Sequence, residues 1–120
     1  MSIRAVRGAT RLSGDDAAEM ADAVQELLRA ILERNTFSTD DLVSIIFTAT
    51  PDLVSAFPAA AARGLGLGDV PLICATEIDV PGALPHVVRL MMHVETSAPR
   101  AEIQHVYLRG AEVLRQDLAQ

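Results

Sequence analysis

The chain has 120 residues, half of them hydrophobic, a net charge of −6, and only one tyrosine and three phenylalanines as aromatic side chains. That length fits one compact domain with a real core, while the acidic balance and scarce stacking surfaces argue against nucleic-acid binding. A lone Cys74 excludes an internal disulfide and a thiolate metal cage, and all ten basic residues are arginine, which excludes lysine Schiff-base chemistry.

The opening segment MSIRAVRGAT lacks the apolar stretch of a secretory signal, and no run is long enough to span a bilayer, so a soluble cytoplasmic protein is expected. Ile3, Ala5 and Arg7 alternate with Arg4 and Val6, which predicts a first strand ending near Gly8. A long helix follows. Ser13, Asp15, Asp16 and Glu19 suit its N-terminus, and Met20, Val24, Leu27, Leu28, Ile31 and Leu32 form one apolar stripe. Arg29 and Arg34 suit its C-terminal end, with Asn35 as the expected cap.

The β-branched run LVSIIFTAT, residues 42–50, reads as a buried strand. Thr50-Pro51-Asp52 and Phe57-Pro58 each read as the start of a short helix, the second one alanine-rich and ending at glycines. VPLICAT, residues 70–76, is the third strand, and DVPGALP, residues 79–85, is a turn-rich connection. HVVRLMMHV, residues 86–94, is the fourth. EIQHVYL, residues 102–108, is the fifth, and GAEVLRQDLAQ follows as a tail with a helical turn. The fold class is therefore α+β: a mixed five-stranded sheet with one long helix and short helices. So few helices leave one sheet face bare, which predicts oligomerisation through that face.

Arg89 interrupts an apolar strand and needs a partner there, since an unpaired charge in an apolar interior costs several kcal/mol or more. The partner is either a protein carboxylate, Glu77 or Asp79, or an anionic ligand. Alternation places Val87, Met91 and His93 on the Arg89 face, and puts Arg7 at the end of its own strand. Glu77, at a strand end, can orient an arginine or accept a ligand hydroxyl; Tyr107 offers a phenolic donor or simple packing. Cys74 has no histidine beside it to activate it, and His86, His93 and His105 lack metal-ligand spacing. No nucleophile elbow, phosphate loop or dinucleotide fingerprint is present. Arginine is a poor acid or base but a good anion binder, so the candidates point to electrostatic or pericyclic catalysis, or to binding alone.

The ordered segments IRAVRGAT, TATPDLVSAFPAAAAR, VPLICATEIDVPGAL, RLMMHVET and HVYLRGAEVLRQDL resemble, from end to end, the monofunctional α/β-barrel class of chorismate mutase. The resemblance implies a homotrimeric pseudo-barrel with active sites between subunits, using no cofactor or metal, and converting chorismate to prephenate on the route to phenylalanine and tyrosine. By the same resemblance Arg89 donates to the breaking ether oxygen and a carboxylate. Arg7 and Tyr107 hold the enolpyruvyl carboxylate, and Glu77 and Cys74 meet the ring hydroxyl. The strand backbone at Ile73, Ala75 and Thr76 lines the pocket, Phe57, Ala59, Leu72 and Leu114 supply apolar contacts, and Arg63 and Arg115 stand at the entrance. One departure is Ala60, where the family often has lysine. The alternative is a trimeric imine deaminase-like protein or a non-catalytic small-anion-binding module.

Overall fold

A computed structural model describes the backbone of residues 1–116 and the side chains of residues 1–114. The elements run β1 (Ser2–Arg11), α1 (Ala17–Asn35), β2 (Leu42–Ala49), α2 (Pro58–Gly64), β3 (Leu72–Thr76), β4 (Val87–Thr96) and β5 (Val106–Leu108). Short 3-10 turns occupy Thr39–Asp41, Arg100–Glu102 and Ala111–Gln116. The strands form one sheet in the order β3-β2-β4-β1-β5. β4 runs antiparallel to both β1 and β2, while β1 with β5 and β2 with β3 are parallel, so the expected mixed five-stranded sheet is present.

α1 forms where its apolar stripe can be buried. Met20, Val24, Leu27, Leu28 and Ile31, with Ala23, lie against Val6, Ile45, Phe47, Val88, Leu90, Met92 and Val94 of the sheet. Each such large side chain contributes roughly 1.5–3 kcal/mol by leaving water. The acids sit at the helix start as the sequence suggests: Asp16 is the N-cap, accepting from the Glu19 N–H, and the Glu19 carboxylate accepts from the Ser13 N–H at 2.8 Å. At the other end the cap is Thr36, in left-handed geometry, rather than Asn35. Asn35 stays helical and spends its side-chain amide on Gln104 instead.

Three other expectations are corrected. β1 does not end at Gly8 but continues to Arg11, so Arg7 is mid-strand. Gly8 is there because α1 crosses at that point: a Cβ would lie 2.9 Å from Ile31 Cδ1. Thr50-Pro51-Asp52 starts a turn, not a helix. The Thr50 hydroxyl accepts from the Val87 N–H, and the Asp52 carboxylate accepts from the His86 N–H, so the segment clamps the start of β4. β5 is shorter than residues 102–108, because Glu102 closes a 3-10 turn and Gln104 is bonded to Asn35 rather than to β1. No helix among the described residues is long and apolar enough to cross a membrane.

Candidate active site

Strand alternation divides the sheet into two faces. Val88, Leu90, Met92 and Val94 of β4 point under α1, whereas Arg89, Met91 and His93 point to the opposite, open face. Val87 keeps the Arg89 parity in the β1–β4 register but, unlike Arg89, is buried. The interior setting expected for Arg89 is corrected, since its side chain is 49% exposed. It occupies the apolar strand because that face carries no helix.

Pairing sets a row of side chains across this open face. Ala75 lies opposite Thr48, Thr48 opposite Arg89, Arg89 opposite Ala9, and Ala9 opposite Tyr107. One row along, Ile46 and Arg7 flank Met91. Arg7, Ile46, Thr48, Arg89, Met91 and Tyr107 line a hollow of about 200 Å³. Tyr107 is buried against Ala9 and Ala111, with Leu114 of the following 3-10 turn packed on the same cluster. Arg109 and Gly110 both take positive φ to turn the chain there, and Arg109 Nε meets Glu26 Oε1 at 3.0 Å.

Glu77 extends the β2–β3 ladder by one bond, donating its N–H to Ala49 O at 2.9 Å. This puts its carboxylate 2.9 Å from Arg89 Nε. Of the two carboxylates weighed from sequence, Glu77 is the one engaged. A pair this exposed contributes at most about 1 kcal/mol to folding, so it orients the guanidinium more than it stabilises the chain. The contact uses Nε and leaves the terminal nitrogens able to donate to a ligand.

A second cleft, of about 490 Å³, lies at the C-terminal end of β3 between residues 49–58 and Cys74, Ala75 and Thr76. Phe57, 70% exposed, stands at its edge. Hydrogen bonds from the Val54 and Ser55 N–H groups to Asp15 tie its outer wall to the start of α1. The two hollows share no lining residue. The candidate residues therefore fall into two groups: Arg7, Arg89, Glu77, Tyr107 and Leu114 around the first, and Phe57, Cys74, Ala75 and Thr76 around the second. Ala59 and Leu72 pack toward the core, and Arg63 and Ile73 are exposed without lining either hollow. The Arg115 side chain lies outside the described residues.

Sequence reading missed Ile46, Thr48 and Met91 as lining residues. The signal was available once β2 and β4 are paired, because alternation then gives Ile46 and Thr48 the parity of Arg89. It also missed the wall formed by Thr50, Leu53, Val54 and Ser55, since a helix was expected there. Among the described residues no group of three or more His, Cys, Asp or Glu is placed to hold a metal ion.

Residues 3–118 match the model of the chorismate mutase type I family. The chain belongs to that family. It is 45% identical over 117 residues to chorismate mutase AroH of Thermus thermophilus, covering 97% of this chain and 96% of that protein. It is 43% identical over 120 residues to chorismate mutase AroH of Bacillus subtilis, covering 99% and 94%. The solved chorismate mutase from Clostridium thermocellum superposes with a TM-score of 0.89 at 50% identity, over 91% of this chain and 97% of that one. The chorismate mutase reading of the sequence, an isomerase on a mixed-sheet α+β fold, therefore holds, and the imine deaminase-like alternative falls.

Proposed function

We propose that the protein rearranges chorismate to prephenate at a composite site, the Arg89 hollow of one subunit facing the Phe57–Thr76 cleft of a neighbour in a homotrimer. The observation that carries this reading is the Arg89–Glu77 contact through Nε, beside Arg7 and Tyr107 in one hollow. That hollow is small. Sites that enclose a ligand measure about 300–1,000 Å³, so about 200 Å³ in one chain is a partial site. Exposed Ile3, Ile46 and Ile73 on the same open face supply apolar surface for a neighbouring copy to cover.

The reaction breaks the ether C–O bond of chorismate and forms a C–C bond within the same molecule, with no proton transferred to the enzyme. Negative charge grows on the ether oxygen as that bond lengthens. A fixed guanidinium there stabilises the transition state more than the ground state, and Glu77 holds it in place beforehand. Arg7 and Tyr107 grip the enolpyruvyl carboxylate, which selects the folded conformer in which the reacting carbons meet. A millionfold acceleration needs only about 8 kcal/mol, within reach of one preorganised cation plus conformer selection.

The test follows the loss of the cyclic diene absorbance of chorismate with purified protein, alongside sedimentation to give subunit number. Catalysed loss by a trimer supports the proposal; binding without loss of the diene contradicts it, as does full activity in a monomer.

A further inference from the structure

The cation at Arg7 is only as well placed as the strand segment that carries it. The parallel ladder between β1 and β5 covers Gly8, Ala9 and Thr10, so Arg7 lies one residue beyond it. On that side its backbone N–H has no strand carbonyl to meet, because Gln104 is held elsewhere: the Gln104 N–H donates to Asn35 Oδ1 at 2.7 Å, and its carbonyl accepts from Asn35 Nδ2 at 2.9 Å. The Arg7 N–H donates instead to His105 Nδ1 at 3.0 Å. An imidazole that accepts at Nδ1 is in a form with no proton on that nitrogen.

We infer that His105 is a positioning residue for Arg7: its Nδ1 replaces the missing strand acceptor and fixes the point from which the Arg7 guanidinium enters the hollow shared with Arg89 and Tyr107. His105 itself lines the adjoining hollow with Arg4, Arg7 and Arg100 and stays outside the Arg89 hollow, so it acts through the strand rather than on the ligand. Asn35 completes the device by holding Gln104 in a conformation that presents the imidazole. The chain thus joins the end of α1 to a ligand-binding arginine through two side-chain contacts. This rests on the reading of Arg7 as a carboxylate-binding residue.

The geometry separates two similar replacements. In His105→Asn the amide oxygen occupies the place of Nδ1, whereas in His105→Gln it sits one bond farther out and cannot. With chorismate as substrate, His105→Asn is expected to keep KM within about twofold of the unaltered protein, and His105→Gln to raise KM about tenfold with kcat changed less than threefold. Circular dichroism and sedimentation check that both variants fold and assemble alike. Equal KM values for the two variants, high or low, overturn the inference. Arg7→Ala is measured in parallel: an unchanged KM there overturns the reading of Arg7, whereas a raised KM with no difference between the His105 variants overturns only the role of His105.

Discussion

The two faces of the sheet are built from the same strands and differ only in residue parity, yet they have opposite characters. Under α1 the side chains of Val88, Leu90, Met92 and Val94 are buried and form a continuous apolar layer with Ile45 and Phe47. On the other face Arg89, Met91 and His93, from the same ten residues of β4, stand among exposed isoleucines and three further hollow-lining polar groups, Arg7, Thr48 and Tyr107. One face secures the fold; the other carries charge at a surface a single chain does not close. The contrast shows that a cation in an apolar strand need not be a buried charge, because burial on the helix side alone is enough to make the strand read as interior.

Substitutions on the two faces should break different properties. Arg89→Ala is expected to lower kcat/KM for chorismate by about a thousandfold or more, while circular dichroism stays unchanged. Arg89→Lys should lose about a hundredfold, since an ammonium cannot hold Glu77 and meet two ligand oxygens together. On the covered face, Met92→Ala should cost about 2–5 kcal/mol in denaturant unfolding, with the remaining folded protein still active. Gly8→Ala should cost about 1 kcal/mol, the low end for overpacking, because the contacting atom is the movable tip of Ile31. Thr10 is fully buried with a hydroxyl that meets no hydrogen-bond partner among the described residues, so Thr10→Val should stabilise by about 1 kcal/mol in the same titration.

The smallest effect is pH-dependent. Hydrogen bonds from the Ser13 N–H and hydroxyl hold the Glu19 carboxyl below its ordinary value of 4.5. A carboxyl depressed in the folded state adds stability above its unfolded value, and that contribution is lost as pH falls through the folded one. Thermal unfolding from pH 6 down to about pH 3 should therefore show a steeper acid loss in the unaltered protein than in Glu19→Gln. Parallel curves would remove Glu19 from the account of acid sensitivity.

Much of this was legible in the sequence because periodicity carries it. The α1 stripe, the succession of five strands along the chain, the bare sheet face and the parity of Arg89 with Met91 and His93 all follow from spacing. What spacing could not supply was long-range pairing. The end of β1 was misplaced because Gly8 looks like punctuation, when it is a crossing point for α1. Thr50-Pro51-Asp52 carries the same residues as a helix start, and only the His86 and Val87 N–H groups, distant in sequence, draw it into a clamp. The start of β5 was misplaced because Asn35 captures Gln104, residues far apart in the chain. Arg89, Arg7, Glu77 and Tyr107 stand out by their own chemistry and the remaining site residues by resemblance, but their division between two hollows follows from the sheet order, which no local motif encodes.

That division is tested most directly by mixing defects. Arg89→Ala disables the hollow, and Phe57→Asp sets a carboxylate at the cleft against an anionic substrate. Neither variant alone should consume chorismate at a measurable rate. Co-expressed in equal amounts, randomly mixed trimers should recover about a quarter of the normal turnover per subunit, because one site in four then draws an intact hollow from one subunit and an intact cleft from its neighbour. Mixed trimers that form but remain inactive would contradict a site shared between subunits.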